Sequence, residues 1–300
     1  MSLRTPSIAP RKTRHARKPI WRRPDRMMLY AALAFWTIVV YLPLYWVVIT
    51  SFKAPVAVAQ GTMLPWIDFQ PTLAAWKSLF SGIQSTALIR AYTNSLLVSV
   101  GSALITTFIG AMAGYGLNRF RYRIGPMGNE DIAFWFVSQR MLPPVAVVLA
   151  YFLLYQNLGL LDTRFGLGLA YVGFNLPLVV WIMRDFFSQI PKDIEESAAL
   201  DGASPWLIYW KIALPLATPG LAASFLLSLV FSFNEYLFAL ILTTQKAGTF
   251  PIMLASQVTG DSIRFWILSA LALMNIIPAA AVMILLERFL RRGLLVGSVK

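Results

Sequence analysis

Six long apolar runs dominate the pattern along the chain. Residues 27–52, 91–118, 165–183, 212–234 and 265–286 contain no Asp, Glu, Lys or Arg, and residues 132–161 contain only Arg140. Each run meets the roughly 17–25 residues that a bilayer-spanning helix needs. The pattern predicts helices near 28–51, 90–116, 132–156, 166–186, 217–242 and 264–287. The expected fold class is an all-α, six-span membrane bundle, because lipid offers backbone groups no partner and a helix satisfies its own. Gly110, Ala111, Ala113, Gly114 and Gly116 in the second run permit close packing against another helix.

One polar segment interrupts the pattern between the fourth and fifth runs. Residues 195–220 read EESAALDGASPWLIYWKIALPLATPG. Pro191 suits a first helical turn, and Asp193, Glu195 and Glu196 favour the positive end of a helix dipole, so a short helix is predicted from about 191. Gly202 lets the backbone turn. Ser204-Pro205 reads as the N-cap and first position of a second helix, with Ile208 and Ile212 on one face. Leu214-Pro215 ends or kinks that helix before the membrane is re-entered. The product is a helix-turn-helix elbow at the membrane surface. Small side chains at Ser197, Ala198 and Ala199 would let its first helix lie in another protein's groove; a partnerless amphipathic loop fits the same pattern.

Charge then orients the bundle. Residues 1–27 hold nine Lys or Arg against one acid, Asp25. This basic tail is read as a disordered cytoplasmic anchor beside anionic headgroups. A nucleic-acid arm is disfavoured, since no aromatic residue interleaves the basic ones before Trp21. With the N-terminus inside, nineteen Lys or Arg are cytoplasmic and six lie outside, leaving Arg140 within a span. Both ends are therefore expected in the cytoplasm. Ala57-Val58-Ala59 resembles a signal cleavage site, but the preceding run exceeds the roughly 7–15 residues of a signal peptide's apolar region, so a retained span is expected. The organisation is a tail (1–27), a transmembrane domain (28–290, elbow 190–220) and a C-terminal tail (291–300).

Composition narrows the chemistry. Zero Cys and a single His, His15, argue against thiol catalysis and the usual transition-metal sites, and no metal is expected. No Gly-Lys pair occurs, so a Walker-type phosphate loop is absent; ATP, if used, is bound by another subunit. Two charges fall within the bilayer. Arg140 lies about nine residues, or roughly 13 Å, into its span, and Glu235 adjoins Asn234 in the fifth. Such residues cost about 2.5–3.5 kcal/mol at a helix centre and usually face a cavity or each other. Gln139, Arg140, Asn234 and Glu235 are candidates for a polar translocation path, in which Arg140 could favour an anionic solute; an Arg140–Glu235 structural ion pair is the alternative.

The spacing Glu196-Ser197-Ala198, three residues, Gly202, nine residues, Ile212-Ala213-Leu214-Pro215 resembles the EAA loop of bacterial ABC importer permeases. Ser197 departs from that pattern's first Ala. NSL at 94–96, AGYGLNRFRY, SQRMLPP, FSFNEYLFALILT and the terminal GLLVGSVK extend the resemblance to the carbohydrate branch, in particular its second, six-span permease of the maltose type. The resemblance implies a type I importer permease paired with a second, homologous permease in the bacterial inner membrane. It further implies two ATPase subunits that bind ATP and Mg, a periplasmic sugar-binding protein, and alternating access. Glu195, Glu196, Ser197, Ala198, Asp201, Gly202, Ile212, Leu214 and Pro215 would form the ATPase-coupling loop, and Gly297, Ser298, Val299 and Lys300 a tail reaching between ATPase subunits.

Other classes fit less of the pattern. An ATP-independent secondary transporter explains the spans but gives the elbow's spacing no purpose. A membrane enzyme would rest acid-base chemistry on Glu235 and little else. An ABC permease for amino acids, phosphate or peptides lacks a reason for FSFNEYLFALILT. The particular sugar, polyol or derivative, neutral or anionic, stays open.

Overall fold

The computed structural model describes residues 24–259 and 262–297. Two compact units divide the chain, residues 1–47 and 48–300. The first unit's described part belongs to α1 (Pro24–Thr50), an apolar helix with Pro43 inside it; the basic residues 1–23 lie outside the described residues.

The second unit begins with two short helices, α2 (Pro55–Ala59) and α3 (Ala74–Leu79). The 38-residue α4 (Gly82–Arg119) follows. At 1.5 Å per residue α4 is about 57 Å long, nearly twice a bilayer's hydrocarbon thickness. It starts eight residues earlier than the apolar run alone predicts, because the helix continues back through the mixed polar and apolar residues 82–89.

The third span is not the continuous helix expected. It comprises α5 (Asn129–Ser138), a 3-10 turn (Gln139–Met141) and α6 (Pro144–Leu158), with a bend of 91°. Pro143 and Pro144 supply the cause: neither has an N–H to donate, and each ring clashes with the preceding turn. Gly159, with φ 65°, closes α6 in the left-handed conformation. The fourth span, α7 (Arg164–Ser188), starts at Thr163, whose side chain accepts from the Gly166 N–H.

The polar elbow follows as α8 (Lys192–Leu200), α9 (Pro205–Ile208), a π turn (Tyr209–Ala213) and α10 (Leu214–Leu216). Pro215 is accommodated by the wide π turn before it, and the break falls at Ala217, where the chain bends by 75° into α11 (Thr218–Phe233). The fifth span also departs from expectation. α11 stops at Phe233, and α12 (Leu237–Leu242) begins after Asn234, Glu235 and Tyr236. Then come α13 (Phe250–Ala255), the hairpin strands β1 (Val258–Thr259) and β2 (Ser262–Ile263), and α14 (Phe265–Gly297).

α4 and α7 form the central seam. An added Cβ at Gly110 would come within 2.5 Å of Val179, and one at Gly114 within 2.8 Å of the Arg184 amide. Only glycine permits this approach, as the small-residue pattern predicts. At the elbow end of the seam Ala111, Tyr115, Met183, Phe187, Tyr209 and Ala213 form one buried cluster. Tyr115 packs its ring 5.2 Å from Phe187 and 5.0 Å from Tyr209. The elbow's second helix is thereby seated on both long helices.

The opposite end is closed by Asp162, at φ 54°. Its carboxylate accepts from the amide N–H groups of Thr244 (3.0 Å), Gln245 (3.2 Å), Lys246 (3.0 Å) and Ala247 (3.0 Å). Burial pushes the Asp162 carboxyl up, but these four amides outweigh it and hold it well below the usual carboxylate range. Beside it Asn94 donates to the carbonyls of Lys246 and Gly248, both at 2.9 Å, and accepts from Arg164 Nε at 2.7 Å.

Candidate functional site

The elbow's local geometry follows its sequence. Ser204 Oγ accepts from the Leu207 N–H at 3.3 Å, capping α9 with Pro205 in its first position. Gly202 has φ +87°, its N–H donates to Ala199 O (3.0 Å), and the Ala203 N–H donates to Ala198 O (3.0 Å). This is a Schellman closure of α8, which requires a left-handed residue after the cap. Nothing lies within 4 Å of a Cβ built at Gly202, so backbone conformation alone selects glycine there.

α8 has two faces with different tasks. Glu195 is 8% exposed, whereas Ile194 and Glu196 on either side of it are exposed. Its Oε1 accepts from Arg119 Nε at 2.9 Å and Nη2 at 2.8 Å, and its Oε2 accepts from the Tyr115 hydroxyl at 2.9 Å. Arg119 Nη2 also donates to Ile190 O at 3.0 Å, and Arg119 Nη1 donates to Asn118 Oδ1. The clamp ties the start of α8 to the last turn of α4, and its forked geometry fixes direction as well as distance. Glu196, Ser197, Asp201 and Gly202 are exposed and Ala198 half-buried, so these positions form the outward face. Ser197 Oγ donates to Asp193 O at 2.7 Å, so the residue that departs from the EAA pattern uses its hydroxyl within its own helix. Ile212 and Leu214 are half-buried and Pro215 is exposed. Leu200 is 90% exposed at the tip, a bare apolar knob beside Asp201 that the sequence reading passed over. Gly297 is the last described helical residue; Ser298, Val299 and Lys300 lie outside the described residues.

The four intramembrane candidates do not form one cluster. Gln139 and Arg140 sit at the bend of the third span and line a cavity of about 310 Å³. Arg140 stacks its guanidinium 4.8 Å from the Phe174 ring centre and 5.4 Å from that of Phe231. Glu235 is turned elsewhere, its carboxylate accepting from the N–H groups of Phe238 (3.0 Å) and Ala239 (3.2 Å) at the start of α12. The alternative of an Arg140–Glu235 ion pair is therefore not formed. The break after α11 explains why: it frees the amides that a carboxylate at this depth needs. Asn234 Oδ1 accepts from Asn275 Nδ2 at 2.9 Å, linking α11 to α14.

Comparison with known proteins bears on the whole arrangement. The model of the family described as binding-protein-dependent transport system inner membrane component matches residues 107–293, which include the elbow, the clamp and the bend of the third span. The chain belongs to this family. Similar proteins of that kind include a probable ABC transporter permease, y4oR, of Sinorhizobium fredii, 32% identical over 98% of this chain and all of the relative. The trehalose/maltose transport system permease MalG of Thermococcus litoralis is 30% identical over 92% of this chain and 97% of the relative. The galactooligosaccharides permease GanQ of Bacillus subtilis is 31% identical over 93% and 97%. Among solved structures, a bacterial ABC transporter that imports the acidic polysaccharide alginate superposes with a TM-score of 0.73 at 24% identity, covering 90% of this permease and 99% of that chain. That likeness places this permease in the ABC importer permease fold, with helices that match the expected class.

The clamp was the part that sequence reading missed. Tyr115 and Arg119 both lie in the AGYGLNRFRY stretch, and nothing in its spacing ties it to Glu195.

Proposed function

We propose that this permease forms half of the translocation path of a binding-protein-dependent importer for a sugar, polyol or sugar derivative, paired with a second, homologous permease. In this reading the chain hydrolyses nothing itself; two ATPase subunits bind ATP and Mg on the cytoplasmic side, a periplasmic protein delivers the solute, and both termini are cytoplasmic. The observation that carries the proposal is the two-faced α8: an outward surface of Glu196, Ser197, Asp201 and Leu200, and an inward Glu195 clamped to α4. The relatives named for trehalose, maltose and galactooligosaccharides support the solute class.

The mechanism follows from stiffness. An ATPase cleft that grips the exposed face of α8 would move the elbow when ATP closes it. Arg119 and Tyr115 transmit that displacement to α4, and the aromatic cluster transmits it to α7, so the long helices move with the elbow and expose the path alternately to each side. Gly202→Asp, in the complete importer, is expected to leave ATP hydrolysis running while solute uptake falls at least tenfold. Uptake at the wild-type rate and expression level would defeat the coupling role.

A further inference from the structure

The geometry points to Arg140 as the residue that recognises an anionic group on the transported sugar, with the aromatic cavity at the bend of the third span as the subsite. This inference rests on the importer reading above and names the class of solute.

The bend exposes what a straight helix would hide. α5 and α6, of 10 and 15 residues, meet there at 91°, so Arg140 sits on the short 3-10 turn at a break inside an apolar run. Non-helical backbone at membrane depth is tolerated only where it is buried in protein or lines a water-filled cavity. The cavity of about 310 Å³ fits the second case and lies at the small end of the ligand-site range of about 300–1,000 Å³. Its walls include Trp135, Phe136, Gln139, Tyr151 and Phe174. Aromatic faces suit the C–H face of a pyranose, and Gln139 and Tyr151 offer polar groups to hydroxyls.

Arg140 is the unusual component. Among the described residues it has no ion pair and no hydrogen-bond acceptor; its contacts are the Phe174 and Phe231 rings, 4.8 and 5.4 Å away. Two other charges, one at the elbow and one in the fifth span, are answered: Arg119 by Glu195, and Glu235 by the amides of Phe238 and Ala239. An intramembrane Arg normally faces a bundle interior or cavity and has a counter-charge. Here two rings from α7 and α11 hold the guanidinium in place while its five N–H donors stay unused. A carboxylate or sulfonate would engage that fork bidentately, and a neutral sugar would leave it unpaired.

The test uses the complete importer in proteoliposomes and matched sugars: glucose, glucuronate and 6-sulfo-6-deoxyglucose, then cellobiose and its uronate. Wild-type importer is expected to take up at least one charged member in preference to its neutral counterpart. Arg140→Gln should lower that uptake tenfold or more, Arg140→Lys should retain part of it, and stimulation of ATP hydrolysis by the loaded binding protein should persist in both. The two anionic probes separate a carboxylate from a sulfonate ligand. Uptake of only neutral sugars, or undiminished charged-sugar uptake by Arg140→Gln, overturns the assignment. Loss of assembly in Arg140→Gln that an acid on the partner permease explains, shown by restoration on neutralising that acid, also overturns it. Failure of the wild type to take up any sugar with ATP overturns the carbohydrate reading itself.

Discussion

The clamp at the elbow and the bend in the third span each centre on an arginine, and they treat it in opposite ways. Arg119 is nearly enclosed, with its donors on Glu195, Asn118 and the Ile190 carbonyl. Arg140 lies between two rings, and among the described residues its donors meet no acceptor. A charge whose partners all belong to the same chain can transmit motion but has nothing left for a ligand. A charge held in place without an acceptor can do the reverse. The contrast separates the transmitting part of the molecule from the recognising part.

The most severe way to break the contrast is to leave the clamp half-made. Glu195→Ala strands Arg119 in a buried site, and removing one partner of such a pair costs about 3–5 kcal/mol. The expected result is a large drop in the thermal midpoint of the purified complex, with uptake lost. Arg119→Met combined with Glu195→Met should recover much of the stability, since an apolar replacement leaves no stranded charge. Recovery of uptake in that double variant would show that packing, and not the ion pair, transmits the motion.

A smaller effect is expected at Asp162, whose charge is answered by backbone amides. Asp162→Asn should loosen residues 244–247 by about 1 kcal/mol, given the partial exposure of the site. Hydrogen exchange of those amides measures it. The carboxyl is depressed in the folded state, so its contribution is complete above the unfolded value of about 4 and fades as pH falls below it toward the folded value. The difference between Asn variant and parent should therefore shrink in acid; a gap that persists there would mean the amide bonds, not the charge, matter.

The smallest change is Ser197→Ala. Its hydroxyl bonds only within α8, so stability and uptake should stay within about 0.5 kcal/mol and twofold of the parent. A larger loss of uptake would mean that the Ser197 hydroxyl itself, and not only the small size of the residue, meets the ATPase on the outward face of α8.

Much of the elbow was legible because its rules are local. Gly202 at φ +87° and Ser204 capping α9 depend on neighbours within a few residues. Glu195 was not, for its partners Arg119 and Tyr115 are 76 and 80 positions away and nothing in spacing distinguishes it from Glu196. The bends in the third and fifth spans were half-legible. Pro143-Pro144 marked the first, yet an apolar run with prolines often stays a single span, and the second depended on Glu235 turning its carboxylate onto the amides of α12.

The sequence by itself determined six membrane-length apolar runs, their glycine-lined contact face and a capped polar elbow, because burial in lipid and capping act through composition and nearest neighbours. Tertiary structure decided which charges are answered. That choice depends on what packing brings within about 3 Å across the bundle, and only folding sets those distances for Glu195, Glu235 and Arg140.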